Sequence, residues 1–573
     1  MLVLNVAQLA PVIAVDTETN AGDCRDGRGF VRGVSVAFTV EGEGYSHYYP
    51  FRHAVGDNYD ARVLALLKQV LEAAPALCFH NAKFDIVALQ TLGIDVLNTW
   101  FFDTMIGAQL VNENQPMRKD LDSVALHYLG EHGKISEPAL DKEKKLGFPN
   151  STASFVKEYA EKDAESTYRL GEVLLPKVFE EAGEDYWNHK QDLIRVLIAM
   201  ERRGVRVNTE LASGLAEHGR SRLDQLKTDM GLNPGSKKDL EEALIGRLGL
   251  PVVKRSEKTK APSFDKFAMA IYEPMLEKSG SPLASQLTEY RGWQKSVSSY
   301  YQAYLDLLSP DGRLRCNYRL DTTRTGRFSC TEPNLQQVPK VTDKPWNGRV
   351  KECLVAQPGY VLMEFDYSQL ELRLGTAYAK ERGLIEVFAD PDRDFFTELS
   401  ETLGWKRQDC KTFVYSVQYG GSKKRISDVF GVSQPEAQKM IDQYYRNYPG
   451  FKRITQQASM KAEANGKVRL WSGRYRHFIN GAQEGYKALN SIIQGGSADV
   501  MEKVMVRLHK EVDHEDDCRL LMQVHDAVTF EIREDLVDEY SERIIAIMAD
   551  VDGATGMTWG VRFAVDGHIL DSK

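Results

Sequence analysis

Five side chains in the first third of the chain have the types and spacing of a site that cuts phosphodiesters. Asp16 and Glu18 sit two apart in "AVDTET", Asp85 follows Asn81 in "FHNAKFD", and Tyr159 and Asp163 are four apart in "YAEKDAEST". Carboxylates are hard oxygen donors, and a converging set can hold two Mg²⁺ ions that clamp the attacking and leaving oxygens of a phosphodiester. Taken singly, each acid has a simpler reading as a surface or helix-capping residue. The ordered series DxE, NxxxD and YxxxD is far more specific. A second pair lies downstream: Asp366 in "YVLMEFDYSQLELRL" and Asp526 in "LLMQVHDAVTFEI". Two aspartates brought together at strand ends would hold two metals against a triphosphate.

Those acids need particular elements to position them. Asp16 and Glu18 end an apolar strand and alternate onto one face, whereas Tyr159 and Asp163 share a face if their stretch is helical. Leu520–Val524 is an apolar run, and Val528, Phe530 and Ile532 alternate with Thr529 and Glu531 as in a half-buried strand. The spacing predicts a tight hairpin with His525 and Asp526 at its tip, where an aspartate could equally serve the turn itself. Val361–Phe365 is an apolar strand, interrupted by Glu364, that delivers Asp366. Ser368 and Glu371 then match the S-x-x-E capping box of a following helix. In "RQDCKTFVYSVQYGG", Arg407, Lys411, Tyr415 and Tyr419 recur every four residues and begin as one face of a helix. Two cations followed by two rings suit the phosphates, base and sugar of a nucleotide.

The 573 residues exceed a single core and imply several domains. Hydrophobic content of 42% and charged content of 27% are those of a globular protein. A net charge of −9 excludes a uniformly basic coat protein but not an enzyme whose cations line one cleft. Seven scattered cysteines without a CxxC pair fit neither a zinc site nor a disulfide framework, and imply a reducing cytoplasm. No run approaches the roughly 20 apolar residues of a membrane-spanning helix. The first third reads as α/β. A helix over about 184–201 is capped by Gly204, and the next hundred residues are mainly helical. Residues from about 395 to 486 also read as helical, and the end of the chain as mixed.

The acid series of the first third resembles the DEDDy class of 3′–5′ exonucleases, which have an RNase H-like fold. The resemblance implies Asp16, Glu18, Asp85 and Asp163 as metal ligands and Tyr159 as the residue that orients the attacking water. "DYSQLELR", "RQDCKTFVYSVQYGG" and "QVHD" resemble motifs A, B and C of family A DNA polymerases. "TRTGRFSCTEPNLQQVP" and "NSIIQGGSADV" resemble two further elements of that family. The implied fold class is multidomain α/β and α+β: an exonuclease domain over 1–187, then a right-hand polymerase domain over 188–573. Within it the thumb would span about 205–300, the fingers about 396–486, and the palm about 301–395 and 487–573.

The implied activity is extension of a primer 3′-OH by dNTPs, with proofreading, in DNA replication. Asp366, Asp526 and the Tyr367 carbonyl would hold two Mg²⁺ ions, and the exonuclease acids two more. Lys411 and Arg407 would neutralise the triphosphate, His525 would meet the primer end, and Tyr419 would close the pocket by the template base. Glu371 would crowd a ribose 2′-OH, and the Tyr415 hydroxyl would replace a missing 3′-OH. Arg327, Asn490 and Gln494 would contact DNA, as would Lys258 and Lys260 beside Lys237, Lys238, Lys254 and Arg255. The implied partners are primer–template DNA, dNTPs and replisome proteins such as a helicase–primase and a single-strand-binding protein, with no membrane.

Three departures from the family stand out. Ala527 replaces the usual glutamate after Asp526, Gly485–Tyr486 replaces a Glu–Arg pair, and Phe396 stands where histidine is common. The absence of a segment before the exonuclease motifs suggests a compact, bacteriophage-like enzyme working in the host cytoplasm. Ala527 also supports an alternative, a 3′–5′ exonuclease whose degraded polymerase half serves as a DNA-binding platform. A single-subunit RNA polymerase is disfavoured by Glu371 and the exonuclease acids.

Overall fold

The computed structural model describes residues 2–134, 142–143, 145–148, 151–339, 344–479 and 481–570. The chain folds as two compact units. One comprises Met1–Arg203, Tyr318–Ser329 and Met363–His568, and the other Gly204–Asn317, Cys330–Leu362 and Ile569–Lys573. Both acid groups of the sequence lie in the first.

Its N-terminal part is a five-stranded sheet of β1 (Ile13–Thr19), β2 (Val31–Val40), β3 (Glu43–Pro50), β4 (Leu77–Phe79) and β5 (Phe101–Asp103), in the order β3-β2-β1-β4-β5. β1 is central, antiparallel to β2 and parallel to β4, which explains why Ile13, Ala14 and Val15 are all buried. Three helices matter for the site: α1 (Ala82–Gln90), α2 (Thr104–Val111) and α3 (Ala153–Glu181). The α3 stripe of Val156, Tyr159, Ala160, Asp163, Ala164, Thr167, Leu170 and Leu174 is buried at helical spacing. The Thr152 hydroxyl caps α3 by accepting from the Phe155 amide at 3.2 Å. Helix α4 (Glu184–Arg203) follows and runs through residues 187 and 188, with Gly204 beyond it at φ +60°.

The second acid pair lies on a four-stranded sheet whose order is β14-β15-β11-β16. These are β11 (Tyr360–Ser368), β14 (Cys518–Val524), β15 (Ala527–Arg533) and β16 (Ala564–Ile569); the shorter strands between them in sequence are β6 (Val205–Val207), β7 (Arg313–Leu314), β8 (Asn317–Arg319), β9 (Ser329–Thr331), β10 (Leu354–Val355), β12 (Lys467–Arg469) and β13 (Tyr475–His477). Val524 pairs with Ala527, so His525 and Asp526 form the two-residue tip the alternation predicts, with His525 at φ +56°. β15 is not half-buried as its alternation suggests. Thr529 and Glu531 are buried as well, because helix Val537–Ala549 packs on this strand and Arg519 on β14 pairs with Glu531 at 3.0 Å.

Helices α5 (Leu370–Ala379), α6 (Arg407–Gln418), α7 (Pro449–Asn465) and α8 (Ala488–Glu511) belong to the same unit. The expectation of a helical segment to residue 486 needs correction. Gly466, in the left-handed region at φ +66°, ends α7, and "KVRLWSGRYRH" turns back on itself as the antiparallel pair β12–β13.

The second unit is mainly helical, as read, with helices Thr209–Met230, Lys266–Lys278 and Leu283–Ser296 around Leu240, Leu244, Phe264, Tyr272, Leu276 and Leu287. It also holds a three-stranded sheet in the order β10-β6-β7, and "VRV" at its start is a strand. All seven cysteines are free thiols, and no described helix is long and apolar enough to cross a membrane.

Candidate active sites

The first acid group converges. Ligand atoms of Asp16 and Glu18 on β1 and Asp163 on α3 lie within 4.8 Å of one another. Asp85, on α1, adjoins the trio through Asp16 without meeting all three within that distance. Its Oδ1 accepts from the Thr17 amide at 3.0 Å and the Thr17 hydroxyl at 2.7 Å, which ties α1 to β1 between Asp16 and Glu18. Burial, with Asp16 nearby, pushes the Asp85 carboxyl well above the usual range. Lys134 Nζ lies 3.1 Å from Asp163 and 6.0 Å from the Tyr159 ring centre. Burial opposes charge on Lys134, but Asp163, Asp16 and Glu18 outweigh it and hold its pKa above the ordinary lysine value. The clustered hard-oxygen donors suit a divalent cation, and the Lys134 ammonium balances part of their charge.

One residue that fixes this geometry gave no chemical signal in sequence. Asp103, at the end of β5, accepts from the amides of Asn81 and Ala82 at 3.1 and 2.8 Å and of Met105 at 2.9 Å. One carboxylate thus anchors the starts of α1, which carries Asp85, and α2. Burial pushes its carboxyl up to about 6 against those hydrogen bonds. An aspartate directly before a helical stretch was the available clue.

The second pair is assembled by backbone pairing. The Tyr367 amide donates to the Asp526 carbonyl at 3.3 Å, which docks the hairpin tip beside the end of β11 that carries the exposed Asp366. The Asp526 side chain is 25% exposed. Desolvation by its surroundings, with Glu371 and Asp366 beside it, pushes its carboxyl up to about 6 although Arg327 opposes this. Arg327 Nη2 lies 3.8 Å from Asp526 Oδ1. Glu371 does not form the capping box read from the sequence. Ser368 ends β11, and Gln369 is the cap residue of α5, at φ +61° with no side-chain cap bond. The Glu371 carboxylate instead accepts from the Arg327 guanidinium and the Tyr419 hydroxyl. Its neighbours spend it on closure of the site rather than on the helix end.

Helix α6 holds Arg407, Lys411 and Tyr415, but it stops at Gln418, so Tyr419 is the residue after it. Gly420 ends the helix: at φ +72° a Cβ there would meet the Tyr486 carbonyl at 2.4 Å. The Tyr415 and Tyr419 rings are 5.7 Å apart, and Tyr415 is 6.0 Å from the buried Phe396. Arg407 is bound to Asp394, and Lys411 is exposed.

Two family models match the chain: "DNA polymerase family A" over residues 206–569 and "3′-5′ exonuclease" over residues 2–201. The chain belongs to DNA polymerase family A. It is 30% identical to "DNA polymerase I" of Pseudomonas aeruginosa over 594 residues, covering 96% of this chain and 63% of that protein. It is 31% identical to "DNA polymerase I" of Chloroflexus aurantiacus over 508 residues, covering 82% and 52% respectively. The chain thus spans between about half and just under two thirds of the length of these curated relatives. A solved structure, "POL domain of Pol1 from M. smegmatis complex with DNA primer-template and dNTP", shares the fold. Its TM-score is 0.80 at 22% identity, over 99% of this chain and 97% of that one. The fold is that of an N-terminal exonuclease domain followed by a family A polymerase domain.

The other family A positions fall as follows. Asn490 and Gln494 lie one turn apart on α8; Gln494 is beside the Tyr419 hydroxyl, and Asn490 Oδ1 is buried with no hydrogen bond among the described residues. Lys258 and Lys260 are exposed in the second unit, where Lys254 pairs with Asp265 at 2.6 Å. Ala527 is buried at the start of β15. The two carboxylates acting on Asp526, Glu371 and Asp366, both come from other elements.

A buried chain that sequence reading missed joins the two acid groups. Lys83, two residues before Asp85, ion-pairs Glu201 and donates to the Tyr318 carbonyl at 2.6 Å. Glu201 also accepts from the Tyr318 amide at 2.6 Å. The Tyr318 hydroxyl accepts from the Gln523 amide at 2.9 Å, and the Gln523 side chain donates to the His525 carbonyl at the hairpin tip.

Proposed function

We propose that this chain is a template-directed DNA polymerase that adds dNTPs to a primer 3′-OH and removes mispaired ends with its 3′–5′ exonuclease. The observation that carries the reading is the docking of the Asp526 hairpin against the Asp366 strand through the Tyr367 amide. It sets two acids side by side, with Arg327, Glu371 and Tyr419 closing around them.

In this reading the primer 3′-oxygen attacks the α-phosphate in line and pyrophosphate leaves. Asp366, Asp526 and the Tyr367 carbonyl would hold two Mg²⁺ ions, and Asp16, Glu18, Asp85 and Asp163 the exonuclease pair. When bound, the metal acidifies the attacking oxygen and neutralises the leaving one. The protein's own groups supply position and charge. Lys411 and Arg407 meet the triphosphate, and the Tyr415 and Tyr419 rings flank base and sugar. Arg327 and His525 set the primer terminus, and Asn490 and Gln494 meet template and primer. Lys258 and Lys260 grip backbone phosphates, so affinity should fall with salt. Glu371, held on both sides, is a rigid wall where a ribose 2′-OH would project. In the exonuclease, Tyr159 orients the attacking water. Helicase–primase and single-strand-binding proteins are the expected replisome partners, in the cytoplasm of a bacterial or phage-infected cell.

Primer extension on matched and mismatched ends tests both halves. Extension that vanishes in Asp366→Ala, and mismatch removal that vanishes in Asp85→Ala, are the expected results. An enzyme that degrades mismatched ends but never extends a primer would reject the polymerase half.

A further inference from the structure

Arg407 enters this account as a cation for the triphosphate, yet its guanidinium already has a partner. Its Nε and Nη2 donate fork-to-fork to Asp394 Oδ1 and Oδ2 at 2.9 and 3.0 Å, and its Cζ lies 5.8 Å from the centre of the Phe396 ring. Asp394 has its own anchorage. Oδ1 accepts from the Thr397 amide at 2.8 Å and the Thr397 hydroxyl at 2.7 Å, capping helix Phe395–Leu403. Oδ2 accepts from Gln369 Nε2 at 3.3 Å. Gln369 is the left-handed residue between the strand of Asp366 and the helix of Glu371, so Asp394 is tied directly to the site's framework. Burial works against the Asp394 charge, but Arg407 and Thr397 hold its carboxyl down at about 2, so it is ionised at any working pH.

A carboxylate and a phosphate present the same pair of oxygens to a guanidinium. We propose that Asp394 is a built-in stand-in for the triphosphate, parking Arg407 until a dNTP exchanges phosphate oxygens for the carboxylate. This inference rests on the polymerase reading above. The exchange costs little on the Asp394 side, because its bonds to Thr397 and Gln369 remain when Arg407 leaves. Phe396 serves as the apolar plate under the parked guanidinium. Lys411, exposed and without an ion pair among the described residues, is then the cation that meets the triphosphate first. Asp394 thereby sets ground-state dNTP affinity without touching the nucleotide.

Single-turnover dNTP incorporation in an Asp163→Ala background, which silences the exonuclease, tests this. Asp394→Asn keeps a side-chain oxygen for the helix cap and removes the competing charge. The expected result is a dNTP Kd about three- to tenfold lower, the scale of one partly exposed bidentate ion pair. The maximal incorporation rate should stay within about twofold of the parent, because only ground-state binding changes. In an Arg407→Gln background the same substitution should leave Kd unchanged, which a merely structural effect on the helix cap would not predict. An unchanged or higher Kd in Asp394→Asn would overturn the proposal, as would an equal shift in the Arg407→Gln background. A parent that extends no primer would reject the polymerase reading itself, and this inference with it.

Discussion

Lys83→Met removes one end of the largely buried ion pair in the chain of contacts that links the two acid groups. Lys83 and Glu201 have side chains 12% and 6% exposed. Removing one partner of such a pair typically costs about 3–5 kcal/mol, because a charge is left buried and uncompensated. Two contacts soften that here. Glu201 keeps the Tyr318 amide at 2.6 Å, and Arg25 Nη1 lies 3.8 Å from its other oxygen. A cost of about 2–3 kcal/mol is therefore expected, with Lys83→Met/Glu201→Gln recovering about half of it because the orphaned charge is gone. Urea denaturation followed by exonuclease activity and by near-ultraviolet dichroism reads the unfolding of this part of the molecule. Mismatch removal should fall more than primer extension, since Lys83 lies two residues from Asp85 but reaches Asp526 only through Tyr318 and Gln523. A loss below about 0.5 kcal/mol, or a double variant as unstable as the summed singles, would refute the idea of a coupled buried pair.

Three further outcomes are expected. Glu371→Ala should relax dNTP-over-rNTP selectivity by at least about 100-fold in competitive incorporation, whereas Glu371→Gln, which keeps the volume, should relax it far less; equal effects would place the charge above the wall. Tyr415→Phe should lower ddNTP incorporation relative to dNTP by about 10- to 100-fold, the worth of one hydrogen bond in a desolvated pocket; unchanged discrimination would remove that role. In metal-free protein the Asp526 carboxyl should titrate near 6 by carbon NMR. Its raised value means the protonated form is favoured as pH falls through that range. Mg²⁺ affinity at this site should therefore weaken below pH 6, and titration near the ordinary aspartate value would contradict the geometry.

What could be read from the sequence was local. DxE at the end of an apolar strand, YxxxD on a helix and a two-residue hairpin each occupy a few residues with a fixed period. β1, α3 and the β14–β15 turn have the form those periods require. Where local pattern misled, tertiary partners had claimed the side chain. Glu371 matched a capping box but is held by Arg327 and Tyr419, and Glu531 alternated as a solvent-facing residue but is buried against Arg519. The supporting pairs left no trace in sequence because they join distant segments. Lys190 meets Glu502 at 2.6 Å and His477 meets Glu113 at 2.9 Å, yet nothing periodic links their positions. Asp394 belongs to none of the motifs legible in the sequence. Its grip on Arg407 depends on how helix Phe395–Leu403 packs against α6.

Asp366 and Asp526 are proposed to form one site for nucleotidyl transfer. The most direct test is extension of a primer on a template by the parent and by Asp366→Ala, with dNTPs and Mg²⁺, in an Asp163→Ala background that removes degradation. Template-directed extension by the parent is expected, with its loss, by at least about 1,000-fold, in the variant. Extension that survives Asp366→Ala, or a parent that adds no nucleotide, would contradict that assignment.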